Sequence, residues 1–232
     1  MPQLERYGNA FGLLSVPFLV VGAWMALVWS PPDIHMGQDV RLLYAHVPTI
    51  IVGYLAFTIT LLASLMLLWK KDLKWDNLAL ASAEIGVIFT VVAVVVGSIW
   101  GSLTWGVYWV WDPRLTTTAV LVVVFVGYLL LRALTDDPWT RARISAVVAI
   151  FGFIDIPVVH FSVVWWRSLH ESLTLSMDSR MAAALIVNMI AFTLLFGFLL
   201  SKRLRLARLS RNQEAVDWSV QSRMREMEPA HG

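Results

Sequence analysis

The sequence contains no cysteine. That excludes thiolate metal sites, disulfide bonds and covalent attachment of a cofactor through a Cys-x-x-Cys-His motif. Charge is scarce as well. Only 15% of the 232 residues are Asp, Glu, Lys or Arg, where a soluble domain averages about 25%. With 58% apolar residues and a positive mean hydropathy, the chain reads as an integral membrane protein, with the lipid bilayer as its solvent and no nucleic-acid partner expected. The phosphate-cradling pattern GxxxxGK[ST] is missing, so the chain is not expected to power transport by itself. Internal repeats, low-complexity tracts and soluble-domain boundaries are missing too, and residues 1–232 read as one membrane domain.

What the sequence does have is long apolar runs. A spanning helix needs roughly 20 mainly apolar residues, and such runs fall at about 11–29, 48–69, 83–100, 116–134, 144–164 and 181–200. The expected fold is all-α, with six transmembrane helices. The first run is too long for a signal peptide and lacks a small-residue cleavage site, so it reads as a retained helix. Asp112 is placed to cap the fourth helix, with Pro113 at the first position, where a missing N–H costs nothing. Pro48 could open the second helix in the same way.

Six spans put both termini on one side, and the side richer in Lys and Arg should be cytoplasmic. Arg6, Lys70, Lys71, Lys74, Arg132, Arg141, Arg143 and seven residues from Lys202 to Arg225 fall on one side, against Arg41, Arg114, Arg167 and Arg180 on the other. That division of fourteen to four among the 18 basic residues makes both termini cytoplasmic. The tail, about 201–232, is basic and then mixed in charge. It reads as a positive-inside anchor running on as a surface helix, with a docking surface for a cytoplasmic partner as the alternative.

The three outward connections carry the unusual residues. The first, about 30–47, holds "RLLYAHVP" with His46. The second, about 101–116, holds "TWGVYWVWDPRLT" with Trp105, Tyr108, Trp109 and Trp111. The third, about 165–180, holds "WWRSLHESLTL" with Trp165, Trp166 and His170. If that last segment is helical, Trp166 and His170 share a face. Trp and Tyr favour membrane interfaces, which accounts for Trp29, Trp69 and Trp100 near span ends. Four aromatics within seven residues exceed such a belt and suggest a platform for a large planar apolar ligand. A lone interfacial histidine is ordinarily just a hydrogen-bonded polar group, but two flank this platform. Imidazole is an axial ligand of haem iron, and Arg41, Arg114 and Arg167 could pair porphyrin propionates in bidentate fashion. Flat rings, two imidazoles and guanidiniums together fit haem better than other common ligands.

"WGVYWVWDPRLT" after "VVVGSIWGSLT" resembles the tryptophan-rich WWD motif of haem-handling proteins of cytochrome c maturation. "RLLYAHVP" and "FSVVWWRSLH" narrow the resemblance to the CcmC family, haem exporter protein C, over about residues 10–200. Tyr108 stands where other members often place a further Trp, and it keeps a stacking face. The resemblance implies that His46 and His170 are axial haem ligands and that Trp105, Trp109, Trp111 and Asp112 lie in the haem-contacting loop. It implies non-covalent, b-type haem held at the periplasmic face of a bacterial inner membrane. The implied partners are the ABC transporter subunits CcmA and CcmB, the small protein CcmD and the haem chaperone CcmE, to which haem is presented. The chain reads as a holder and presenter more than an enzyme. The alternatives are a haem-transporting subunit, with haem passing between the spans, and a cytochrome c synthase-type haem lyase.

Four other polar residues need weighing. His160, within span five, reads as a packed polar residue, and His35 lacks an aromatic neighbourhood. Asp155, also within span five, is costly there; it reads either as a partner of another span or as part of a proton or haem-entry route. Glu84 reads as structural, at the start of span three where the helix dipole favours a carboxylate. The charge count makes a first prediction. In intact cells, an impermeant thiol reagent should label a cysteine introduced at position 107 and leave one at position 74 untouched. The opposite pattern would invert the topology.

Overall fold

The computed structural model describes residues 2–170 and 177–227. The remainder of the expected third outward connection, 171–176, and the end of the tail, 228–232, lie outside them. Helix α1 (Pro2–Trp24) runs into a short π-helical turn, Met25–Trp29. A bend follows in which the Asp33 carboxylate accepts the N–H groups of His35 and Met36 at 2.8 and 2.9 Å. A 3-10 turn (Gln38–Leu42) leads into α2 (Leu43–Lys70), and α3 (Leu73–Trp105) returns antiparallel. Then come α4 (Pro113–Ala133), α5 (Pro138–Phe153), α6 (Asp155–Trp165) and α7 (Ser179–Met227). No strand occurs among the described residues. Six helical stretches are long and apolar enough to cross a membrane, α5 and α6 together making one. The chain is an all-helical, multi-pass membrane protein.

The helix ends follow local chemistry. Asp72, Asp112 and Asp137 cap α3, α4 and α5 by accepting N–H groups two or three residues on. At Asp112 the first helical position is Pro113, as the sequence suggested. Gly106, with φ 77°, closes α3 in a left-handed conformation that costs a residue without Cβ little. Pro48 does not open α2. The helix begins at Leu43, so the proline sits inside the first turns, where its missing N–H leaves the Tyr44 carbonyl without its helical donor.

Several spans are longer than their apolar runs. Span three starts at Leu73 instead of 83, because Asp76 is carried inside the bundle by a partner. Asp76 forms a bidentate pair with Arg132 of α4 at 2.6 and 2.7 Å, with both side chains almost fully buried. Glu84 lies in mid-helix, not at a helix start, and pairs with Arg203 of α7 at 2.6 and 2.9 Å. Arg203 continues the sixth helix, which shows no break at 201 and runs unbroken to Met227. Paired ions cost far less in apolar surroundings than lone ones, so a charge-free window undercounts these helices.

Helices α2 and α3 pack along one another and against α7 through Val52, Ala56, Ile85, Phe89, Phe196 and Leu200. A second cluster joins them to α4 and α5, where Phe57 and Phe125 stack with centroids 3.7 Å apart. Helix α1 lies on α7, tied by Asn188 Nδ2 donating to the Gly22 carbonyl at 3.0 Å. The prediction here concerns the buried pair. Arg132→Met alone strands the Asp76 carboxylate and should lower stability by about 3–5 kcal/mol, whereas Asp76→Leu with Arg132→Met should lose much less. Thermal unfolding of the purified variants in detergent distinguishes them, and equal losses would contradict the pairing argument.

Candidate functional site

At the end of the bundle where α3 gives way to α4, one cleft gathers residues from four parts of the chain. Helix α2 contributes His46, Ile50 and Tyr54, which share a face because they are four residues apart. Helix α3 contributes Ala93, Val94, Gly97 and Ser98, and α4 contributes Arg114, Leu115 and Thr118. Trp105 and Trp109 line it from the aromatic connection, and His170 from the segment after α6. The cleft is open at its mouth and has a volume of about 60 Å³.

His46 is fixed by its surroundings. Its Nδ1 lies 2.9 Å from the Ala93 carbonyl, an acceptor only. A neutral ring there donates from Nδ1 and leaves Nε2 with a free lone pair. The ring passes so close to α3 that a Cβ at Gly97 would lie 2.7 Å from His46 Cε1. Trp100 packs edge-on, its centroid 5.8 Å from the imidazole. This corrects the interfacial reading of Trp100: its indole belongs to the packing around Tyr44 and Met181, and its Nε1 is buried with no hydrogen-bond partner among the described residues. Trp69, by contrast, is exposed as a belt residue should be.

His170 is held by different means. Helix α6 ends at Trp165, and Trp166 is extended, so Trp166 and His170 do not share a helical face. What holds the segment instead is Asp112. Beyond capping α4 through the Arg114 N–H at 2.9 Å, its carboxylate accepts the Ser168 hydroxyl at 3.0 Å and the Leu169 N–H at 2.7 Å. Ser168 Oγ in turn accepts the His170 N–H at 3.0 Å. The His170 ring packs edge-on against Trp105 at 4.9 Å, with Nδ1 3.5 Å from Asp112 Oδ1. That separation is long for a hydrogen bond and leaves the nitrogen without one among the described residues. Burial, with the Arg114 charge, pushes the imidazole down to about 4, against the opposing pull of Asp112. Burial would raise the Asp112 carboxyl, but the Leu169, Ser168 and Arg114 donors outweigh it and hold the group below its usual range.

The other expected residues divide clearly. Arg114 reaches the cleft, and no carboxylate among the described residues pairs with it. Tyr108 and Trp111 lie exposed beside it, Trp111 packing edge-on against Trp109 at 5.8 Å. Trp165 and Trp166 are exposed and edge-on to each other, with Trp165 stacked on Phe161. None of these four lines the cleft, nor do Arg41 and Arg167. His35 is exposed. His160 is exposed too, contacting Phe161, which corrects its reading as a packed residue. Asp155 opens α6 at a break in span five, and its Oδ2 is buried without a partner among the described residues; the expected bond to another span is not there. Sequence reasoning missed Tyr54, Ser98, Thr118 and Ser168. Only Tyr54 carried a signal, its place on the His46 face of α2.

A multi-pass membrane protein with a two-histidine, aromatic-walled cleft at one end of its bundle is the class that fold and site define. The model of the family described as "Heme exporter protein C" matches residues 3–219. The chain is 35% identical over 217 residues to Heme exporter protein C of Bradyrhizobium diazoefficiens, covering 90% of this chain and 82% of the relative. It is 36% identical over 199 residues to that of Escherichia coli K12, covering 83% and 80%. A ccmC-like mitochondrial protein of cytochrome c biosynthesis from Marchantia polymorpha is 31% identical over 160 residues, 68% of each chain. The chain belongs to the Heme exporter protein C family.

The electrostatics of His170 make a prediction free of any ligand. Its imidazole binds a proton less readily folded than at the unfolded value of 6.5. The folded state therefore binds fewer protons between pH 6.5 and about 4, so this contribution is full above that window and lost as pH falls through it. The melting temperature of the ligand-free protein should fall across that window, and less steeply in His170→Gln. Identical slopes would show that His170 is not desolvated.

Proposed function

We propose that the cleft holds haem as cargo, with His46 and His170 as its axial ligands, and presents it for transfer during cytochrome c maturation. The observation that carries this reading is the convergence of two imidazoles, from segments far apart in sequence, on one aromatic-walled cleft. His46 Nδ1 is engaged by the Ala93 carbonyl, which directs Nε2 to a metal, the arrangement usual for metal-bound histidine. Burial and the Arg114 charge disfavour protonation of His170, which leaves that imidazole neutral and able to ligate near neutral pH. Trp105 and Trp109 supply flat apolar walls. Arg114 supplies a guanidinium that no carboxylate pairs among the described residues, suited to a propionate. The donor set fits haem: two neutral nitrogens, ring faces and a cation in one cleft.

Two imidazoles saturate haem iron axially, which discourages oxygen chemistry at the metal. The chain's residues then orient and shelter the cargo. Tyr108, Trp111, Trp165 and Trp166 would offer further ring faces outside the cleft, and Arg41 and Arg167 further cations for any propionate that projects beyond it. The charge count turns this end of the bundle to the periplasmic side of a bacterial inner membrane. There the cargo is offered to the haem chaperone CcmE, with CcmA, CcmB and CcmD as the associated transporter components. The haem is b-type and non-covalently held.

The test is haem retained by purified protein, and haem passed to the acceptor, at matched protein level. His46→Ala and His170→Ala should each retain far less haem than the parent, while His35→Ala should match it. Arg114→Ala should weaken retention by about 10–100-fold, the effect of losing a charge-assisted bidentate contact. Arg114→Lys should recover only part, because the fork is lost. Parent-like retention in the His46/His170 double variant would refute the ligand assignment.

A further inference from the structure

The residue joining the two halves of the site is one that its sequence context does not single out. Ser168 sits between the aromatic connection and His170. Its Oγ donates to Asp112 Oδ1 and accepts from the His170 backbone N–H, each at 3.0 Å. A hydroxyl can do both at once. The other oxygen of Asp112 takes the Leu169 N–H at 2.7 Å. Three consecutive residues of this non-helical segment are thereby anchored, directly or through Ser168, on one carboxylate, which is itself held as the cap of α4.

We propose that Ser168 is a positioning residue for His170. It ties the ligand-bearing segment to the aromatic connection, so that the imidazole stands over the cleft before cargo arrives. This rests on the reading of His170 as an axial ligand and deepens it. The geometry requires such a device. His170 lies outside any helix, and its own Nδ1 has only the long 3.5 Å contact with Asp112 Oδ1 for support. The usual support for a ligating histidine is a hydrogen bond to its second ring nitrogen. His46 has that support from the Ala93 carbonyl. For His170 the support is transferred to the backbone, through Ser168, with Trp105 limiting rotation from the side.

The test compares Ser168→Ala, Ser168→Thr and Ser168→Val in the full chain, with His170→Ala as reference. Thr and Val are nearly isosteric and differ in the hydroxyl, so their comparison decides the matter even if the Ala variant fails to accumulate. Two readouts are taken. In the haem-free protein, carbethoxylation of His170 by diethyl pyrocarbonate, read by mass spectrometry, should be faster in Val and Ala than in the parent and Thr. In the haem-loaded protein, added imidazole should displace His170 at about tenfold lower concentration in Val and Ala, the factor expected from losing roughly one buried hydrogen bond. The electron paramagnetic resonance signature of the low-spin ferric form should broaden in Val and Ala and stay sharp in Thr. If Thr behaves like Val, or if all three match the parent, Ser168 does not position the imidazole. If His170→Ala itself holds haem as the parent does, the ligand reading fails, and the carbethoxylation rates alone then judge the tether.

Discussion

The site end of the molecule is arranged around the carboxylate of Asp112, which accepts hydrogen bonds from the Arg114 N–H, the Ser168 hydroxyl and the Leu169 N–H. Two irregular segments meet there, one carrying the aromatic rings and the other carrying His170. Among the described residues, no backbone–backbone hydrogen bond closes within either segment. A single buried anion serves both because it is also a helix cap, and so is held in place by α4. Carboxylates that accept several donors are stabilised in the charged form, and the lowered pKa of Asp112 fits that role. One carboxylate therefore decides whether the two histidines face the same space.

The helical bundle supplies what the loops cannot. His46 rides on α2 and is pressed against α3 at Gly97, where a Cβ would lie 2.7 Å from its ring, so the helix pair fixes its position. His170 is tethered instead of built in. On the proposed function, this asymmetry would hold a flat cargo firmly on one side and leave it open on the other. The aromatic residues divide along the same line. Trp105 and Trp109 close the cleft, while Tyr108 and Trp111 stay exposed at its edge, where a ring face is accessible to an incoming partner.

Much of this was legible in the sequence, and the exceptions are instructive. Apolar runs located all six spans, and the Asp112-Pro113 pair located the start of α4. Boundaries failed at Asp76, paired with Arg132, and at Arg203, paired with Glu84, because a hydropathy window sees the charge and not its partner. His46, His170, Trp105, Trp109 and Arg114 were all candidates, and the fold brings them to one cleft. Trp100 was misread because interfacial position and packing against an imidazole look alike in one dimension. Ser168 left no trace, since a serine bridging two loops is indistinguishable from any other loop serine until the loops meet.

The central claim is that two imidazoles from distant segments bind one iron. Pulsed electron paramagnetic resonance on the ferric, haem-loaded protein, grown with nitrogen-15 histidine, tests it most directly. The account predicts nitrogen-15 couplings from two axial imidazoles, with one set lost in His46→Ala and the other in His170→Ala. Couplings from a single histidine, or two sets that persist in either variant, would contradict it.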